Sequence, residues 1–225
     1  MISGAERKLV SQATHFRIVL LSSLLSFSLL ARPADNRDSE AAELDKLEKA
    51  VLSAIPDPRY PHDRFIIVTL KEAIAAKREN SGGGIGACMV RESTGKIVAV
   101  GHNRQFAPYF RSDMHAEMDL INRYEDRLRA VRPSNPRQVD GLVLFSSVEP
   151  CPMCLARIIN SGLKKAYYGA ADSEGGMVHK INDFPPFWRN GALGRTFAEA
   201  DCSPTIKELA ARLFHLGQRN AKMSN

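Results

Sequence analysis

The chain is expected to fold as a three-layer α/β/α unit around a mixed five-stranded sheet. Three observations predict this. "IGACMV" (85–90) and "KIVAVG" (96–101) are short β-rich runs joined by "RESTG", the pattern of a hairpin. "GLVLFSSV" (141–148) and "KKAYYGA" (164–170) are continuous apolar runs, the kind buried on both faces of a sheet. Between and around them, apolar residues recur at helical intervals, so strands and helices alternate. With 225 residues, 44% of them hydrophobic, the chain can bury a sizeable core.

The elements follow in order. "IVLLSSLLSFSLL" (18–30) is uncharged and apolar and follows Arg7, Lys8 and Arg17. It is short for a bilayer span, which needs ~20 residues, and fits the apolar region of a signal peptide or signal-anchor. Residues 1–34 are therefore set apart from 35–60, a polar stretch plus a short amphipathic helix with Leu44, Leu47, Val51 and Ile55 on one face. Residues 61–225 form the main domain. "HDRFIIVTLKEAIAAKREN" reads as a helix with Asp63 as its cap and Ile66, Leu70, Ala73, Ile74 and the stem of Lys77 on one face. "SGGG" breaks it. After the hairpin, "HNRQFAPYFRSD" has no period and ends on Ser112 and Asp113, both N-cap types. A helix then starts beside His115 and runs to about Arg132, before Pro133. "LARIINSG" is a helix closed by Gly162, "GRTFAEAD" a weaker strand, and "SPTIKELAARLFHLGQRNAKM" a helix capped by Ser203 with Pro204 in its first turn.

Charge excludes little. The formal net charge is +6, but residues 1–34 carry Arg7, Lys8, Arg17 and Arg32 against Glu6, half of the excess. The remainder is only mildly basic and does not by itself call for a nucleic-acid partner.

The chemistry-bearing fragments are "DMHAEMDL" (113–120) and "SSVEPCPMCLARI" (146–158), both at strand-to-helix junctions. Two cysteines three apart suit a redox pair or a metal half-site equally well. His115, Cys151 and Cys154 together supply one nitrogen and two sulfurs. Three protein ligands with a water in fourth place is the pattern of a catalytic zinc, whereas a structural zinc takes four. No second Cys-x-x-Cys completes a closed site. Glu117, two residues from His115, can approach the open position without ligating and move a proton there.

His-x-Glu followed by Pro-Cys-x-x-Cys is the signature of the zinc deaminases. Through "HDRFIIVTLKEAI", "GIGACMV", "VGHNR", "MHAEMDLI" and "SSVEPCPMCLARIINSGLKKAYYGAAD", the chain resembles the cytidine/deoxycytidylate deaminase superfamily, in its tRNA-adenosine and guanine deaminase branch. The resemblance covers roughly residues 60–220. It implies zinc as cofactor, hydrolytic loss of an exocyclic amine as ammonia, Glu117 as proton shuttle, and substrate contacts from Asn103, Ala116 and Glu149. For Asn103 the residue-level alternative is a turn residue, and for Glu149 a brace of the zinc loop. Asp172 reads as a turn residue. The resemblance also implies a homodimer, with the aromatic "NDFPPFWRNG" (182–191) as a rigid loop, a base-stacking surface or a subunit contact.

For the substrate, Pro-Cys-Pro-Met-Cys and the apolar run at 18–30 favour a small purine base or nucleoside, guanine foremost, in a secreted or periplasmic enzyme. Without a signal the enzyme is cytoplasmic. Arg212, His215, Arg219 and Lys222 form a basic face on the last helix and support the alternative, adenosine in tRNA. A zinc-stabilised interaction module is the non-enzymatic alternative and would need a fourth protein ligand.

Overall fold

A computed structural model describes residues 34–131 and 139–217. The run at 18–30, Arg219 and Lys222 lie outside the described residues. Six α-helices and five strands occur among the described residues: α1 (Ala34–Ser53), α2 (Asp63–Arg78), β1 (Gly86–Arg91), β2 (Lys96–His102), α3 (Ala116–Val131), β3 (Leu142–Val148), α4 (Pro152–Ser161), β4 (Lys165–Ala170), α5 (Pro186–Ala192), β5 (Thr196–Glu199) and α6 (Pro204–His215). The sheet order is β2-β1-β3-β4-β5. β1 is antiparallel to both β2 and β3, while β3-β4 and β4-β5 are parallel. The mixed five-stranded sheet of the expected fold is present.

Strand alternation divides the core into two layers. Cys88 and Val90 of β1 and Val143 and Phe145 of β3 face α1, α2 and α6. Ala87 and Met89 of β1 and Leu142 and Leu144 of β3 face α3 and α4. Every residue of β3 is buried, as a central strand covered on both faces requires. Gly101 lets α3 lie close on β2, because a Cβ there would come within 2.6 Å of the Leu120 backbone nitrogen. Cys88 and Cys202 are buried free thiols.

Several local expectations are corrected. α1 already runs from Ala34, and Leu44, Leu47 and Val51 enter the core as expected. Ile55 lies beyond the helix and is 87% exposed, because α1 ends at Ser53. Neither Ser112 nor Asp113 caps α3. The helix starts beside His115 as expected, at Ala116, and the Asp113 carboxylate pairs with Arg111 at 2.6 Å. The Ser203 hydroxyl makes no capping bond. The 182–191 stretch is partly helical: a 3-10 turn at Ile181–Asp183 leads into α5, with Pro186 tolerated in its first turn. Lys77 is half-buried, and its Nζ donates to the Leu216 carbonyl at 2.5 Å, closing the end of α6.

Asp63 is the largest departure. It is fully buried, and its carboxylate ties two distant loops instead of capping α2. Oδ2 accepts the N–H of Asp57 at 3.0 Å and Oδ1 the N–H of Ser203 at 2.7 Å. Asp63→Ala leaves both N–H groups without this partner. The expected loss is about 2–3 kcal/mol of unfolding free energy, read from the urea midpoint at unchanged slope; an unaltered midpoint would show that neither bond contributes.

Candidate metal centre

The site forms where β2 and β3 end and α3 and α4 begin. β1 is antiparallel to both strands, so their carboxyl ends lie together beside Gly86, whose N–H donates to Ser147 Oγ at 3.0 Å. His115 immediately precedes α3, Cys151 is the N-cap of α4, and Cys154 sits in its first turn. Arg157 of α4 donates to Glu125 Oε2 of α3 at 2.7 Å and to Asn122 Oδ1 at 3.3 Å, which holds the two ligand-bearing helices together.

His115, Cys151 and Cys154 bring their donor atoms within 4.8 Å of one another. His115 Nδ1 lies 3.6 Å from Cys151 Sγ. A tetrahedral zinc with ordinary Zn–N and Zn–S bonds separates such a pair by roughly 3.6 Å, so this donor set fits the ion. No other group of three such side chains is close enough to hold a metal among the described residues.

The electrostatics suit a soft cation. Cys151 is lowered to about 4 by the hydrogen bond from Cys154, with the His115 ring acting in the same sense against burial. Cys154 is raised well above the usual thiol value by its bond to Cys151 and by burial. The lowered Cys151 thiol favours an anionic sulfur at the amino end of a helix, where negative charge is stabilised. Beside it, Glu117 is 3% exposed and accepts a hydrogen bond from Ser146 Oγ at 2.9 Å. Burial chiefly, with the neighbouring Cys151, pushes its carboxyl upward. A buried carboxyl beside the donor set is placed to take and return a proton there.

The other sequence candidates divide. Ala116 is fully buried in the first turn of α3. Asn103 is 2% exposed, and its side chain forms a turn: Oδ1 accepts the Gln105 N–H at 3.1 Å and Nδ2 donates to Gln105 Oε1 at 3.0 Å. Glu149 points to the loop after β4. Oε1 accepts the N–H of His179 at 2.8 Å and lies 2.8 Å from its Nδ1, and Oε2 accepts the N–H of Asp172 at 3.1 Å. Burial raises the Glu149 carboxyl, but these bonds outweigh it and hold it below its usual value. The brace reading of Glu149 is the one its contacts support. Asp172 accepts from the N–H groups of Glu174 and Gly175, as a turn residue should.

Sequence reasoning missed the support behind Asn103. Ser81 Oγ donates to the Asn103 carbonyl at 2.8 Å, and the Asn103 N–H donates to the Ile85 carbonyl at 3.0 Å. A Cβ on Gly82 would stand 1.8 Å from Asn103 Oδ1, so the glycine run is a contact surface for this side chain as well as a helix breaker. The run itself was the available signal. His102 was also missed. It is 6% exposed, with Nδ1 2.9 Å from Glu72 Oε2 and Nε2 3.2 Å from Glu79 Oε2. Both ring nitrogens face carboxylates, so the doubly protonated imidazolium is the form that satisfies both. The Glu72 hydrogen bond raises its pKa; burial opposes and Glu79 assists.

Two outcomes are expected. Cys151→Ser and Cys154→Ser should each lose zinc on dialysis, while the wild-type chain retains it in equimolar amount; full occupancy in both variants, by elemental analysis, would exclude this ligand set. His102 has a folded pKa above its unfolded value near 6.5. Its stabilisation is therefore present below that value and fades as pH rises through the folded pKa. Wild type should exceed His102→Gln in urea midpoint at acid pH, and the gap should close at alkaline pH; a pH-independent gap would contradict the charged form.

Comparison with known proteins accords with this geometry. Residues 60–170 match the cytidine and deoxycytidylate deaminase zinc-binding region. The chain is 36% identical over 110 residues to the tRNA-specific adenosine deaminase of Bacillus subtilis (strain 168), covering 48% of this chain and 63% of that enzyme's length. It is 34% identical over 137 residues to the tRNA-specific adenosine deaminase of Rickettsia felis, covering 57% and 87%. Identity to the guanine deaminase of Bacillus subtilis is 29% over 113 residues, covering 50% and 67%. A solved structure from studies of A-to-I editing by tRNA deaminases superposes with a TM-score of 0.52 at 24% identity, covering 67% of this chain and 98% of that one, which supports the fold. The chain belongs to the cytidine and deoxycytidylate deaminase superfamily, in the branch that holds the tRNA-specific adenosine deaminases and guanine deaminase.

Proposed function

We propose that the chain is a zinc-dependent hydrolytic deaminase that converts adenosine in tRNA to inosine, with release of ammonia. The carrying observation is the three-donor cluster of His115, Cys151 and Cys154 with the buried carboxyl of Glu117 beside it. The sequence alone favoured guanine. The substrate assignment moves to tRNA because the relatives that match at 34–36% identity are tRNA-specific adenosine deaminases, while the guanine deaminase matches at 29%.

Zinc held by His115, Cys151 and Cys154 would supply a water of lowered pKa and an open position for the substrate. Glu117, buried beside the donor set, would hold and move the protons that the ring nitrogen and the departing amine require. Burial raises its proton affinity, and Ser146 holds its carboxyl in place. Asn103 and the buried first turn at Ala116 are the proposed base contacts, with Asn103 set by Gln105, Ser81 and Gly82. Glu149 acts at one remove: it braces the loop behind Cys151 through His179 and Asp172.

The basic helix contributes less than its sequence suggests. Arg212 is engaged by Glu43 of α1, and also lies 3.8 Å from Glu208. The proposed homodimer rests on α5 and the residue that caps it, with Phe187 72% and Leu193 75% exposed.

The test is product analysis over tRNA, adenosine, guanine and cytidine. Inosine should appear in tRNA and should fall by about 10²–10⁴-fold in Glu117→Ala, which should keep its zinc. Guanine turnover without inosine formation would overturn the tRNA assignment and leave the metal chemistry standing.

A further inference from the structure

The segment between Asn103 and His115 has a feature that neither the metal nor the proton shuttle uses. Its base is tied by backbone bonds. The Arg104 N–H donates to the Met114 carbonyl at 2.8 Å, the Arg111 N–H to Gln105 at 2.7 Å, and the Phe106 N–H to Ser81 at 2.8 Å. Yet it exposes three large aromatic side chains, Phe106 at 59%, Tyr109 at 65% and Phe110 at 66%. The Phe106 and Phe110 rings lie 5.7 Å apart at 30°. A tied loop that leaves aromatic faces in water is costly to keep unless a partner covers them.

The same loop lines a cleft of about 400 Å³ with Arg104, Tyr109, Arg111 and Arg123 among its walls. Arg111 gives Nε and Nη2 to Asp113, and Arg123 gives Nε to Asp119. Each guanidinium keeps nitrogens outside these pairs. Arg104 forms no ion pair among the described residues. Asp119 is 3% exposed and also accepts the His102 N–H at 3.3 Å, so its charge is held inside rather than presented to solvent. Guanidinium groups suit phosphate, and exposed rings suit unstacked bases. A nonspecific apolar partner would have no use for the arginines.

We infer that the 104–111 loop is a binding surface for single-stranded RNA, gripping the nucleotides that flank the reacting one. The bases stack on Phe106, Tyr109 and Phe110, and the phosphates meet Arg104 and the spare nitrogens of Arg111 and Arg123. The loop runs from Asn103 to His115, so a strand lying on it passes beside the metal centre. This rests on the tRNA reading and names the part of the substrate that a free base would lack.

The test uses the full-length zinc-loaded chain and an RNA stem-loop with one adenosine in its loop. Binding is followed by fluorescence anisotropy across a salt series, with inosine formation measured in parallel. The variants are Phe106→Ala/Tyr109→Ala/Phe110→Ala, Arg104→Ala and Arg104→Lys. Zinc content and circular dichroism establish that each is folded. The aromatic variant should weaken binding at least about tenfold. Arg104→Ala should flatten the log–log salt slope by about 0.7, and Arg104→Lys should restore the slope. If wild type binds and edits the RNA while all variants match it in affinity and slope, the loop assignment falls and the tRNA reading stands. If wild type neither binds nor edits RNA but releases ammonia from guanine, both fall. If the aromatic variant keeps its RNA affinity but turns a dimer into a monomer in sedimentation, the patch is a contact between two copies and the proposal is overturned.

Discussion

Everything at this site depends on bringing three soft donors to one point. An imidazole and two thiols must sit within 4.8 Å of one another, although His115 and Cys151 are 36 residues apart in the chain. The sheet supplies the junction, because β3 delivers the cysteines at its carboxyl end, across the start of β1 from the end of β2. The helices supply the direction, since the donors lie at the amino ends of α3 and α4. Arg157 fixes the spacing by joining α4 to Glu125 and Asn122 of α3. A shift of one helix along the other would separate nitrogen from sulfur and remove the metal site without changing any ligand.

The same crowding shifts the proton affinities of the groups at the site. The lowered Cys151 thiol favours negative charge beside Glu117, which adds to burial in raising that carboxyl. Burial does more, because Glu117 lies beneath the site and has Ser146 as its hydrogen-bonding partner. Position and proton affinity therefore come from one cause, the packing of α3 on the central strands.

A second tier of residues keeps the site's walls in place. Glu149 restrains the 172–179 loop, and the Ser81–Gly82 turn restrains Asn103. His102 joins Glu72 and Glu79 of α2 to the end of β2, one residue before Asn103. These residues act through others, and each is a polar group whose partners come from distant parts of the chain.

The sequence by itself determined the strands, the main helices, the donor set and the neighbouring carboxylate. Those signals are local: apolar periodicity, Gly and Pro punctuation, and ligand spacing around Cys-x-x-Cys. It also supported two readings each for Asn103 and Glu149, because a polar residue beside a motif looks alike whether it meets substrate or backbone. Only the tertiary structure decided that Glu149 grips His179 and Asp172, and that Asp63 joins two loops instead of capping its own helix. It likewise put Arg212 against α1 and turned the 104–111 stretch into a tied loop with exposed rings. Hydrogen-bond partners such as Asp63 and Ser203 lie 140 residues apart. No local pattern encodes such a pairing, because it is chosen when the sheet and its covering helices pack and each buried polar group must find a partner.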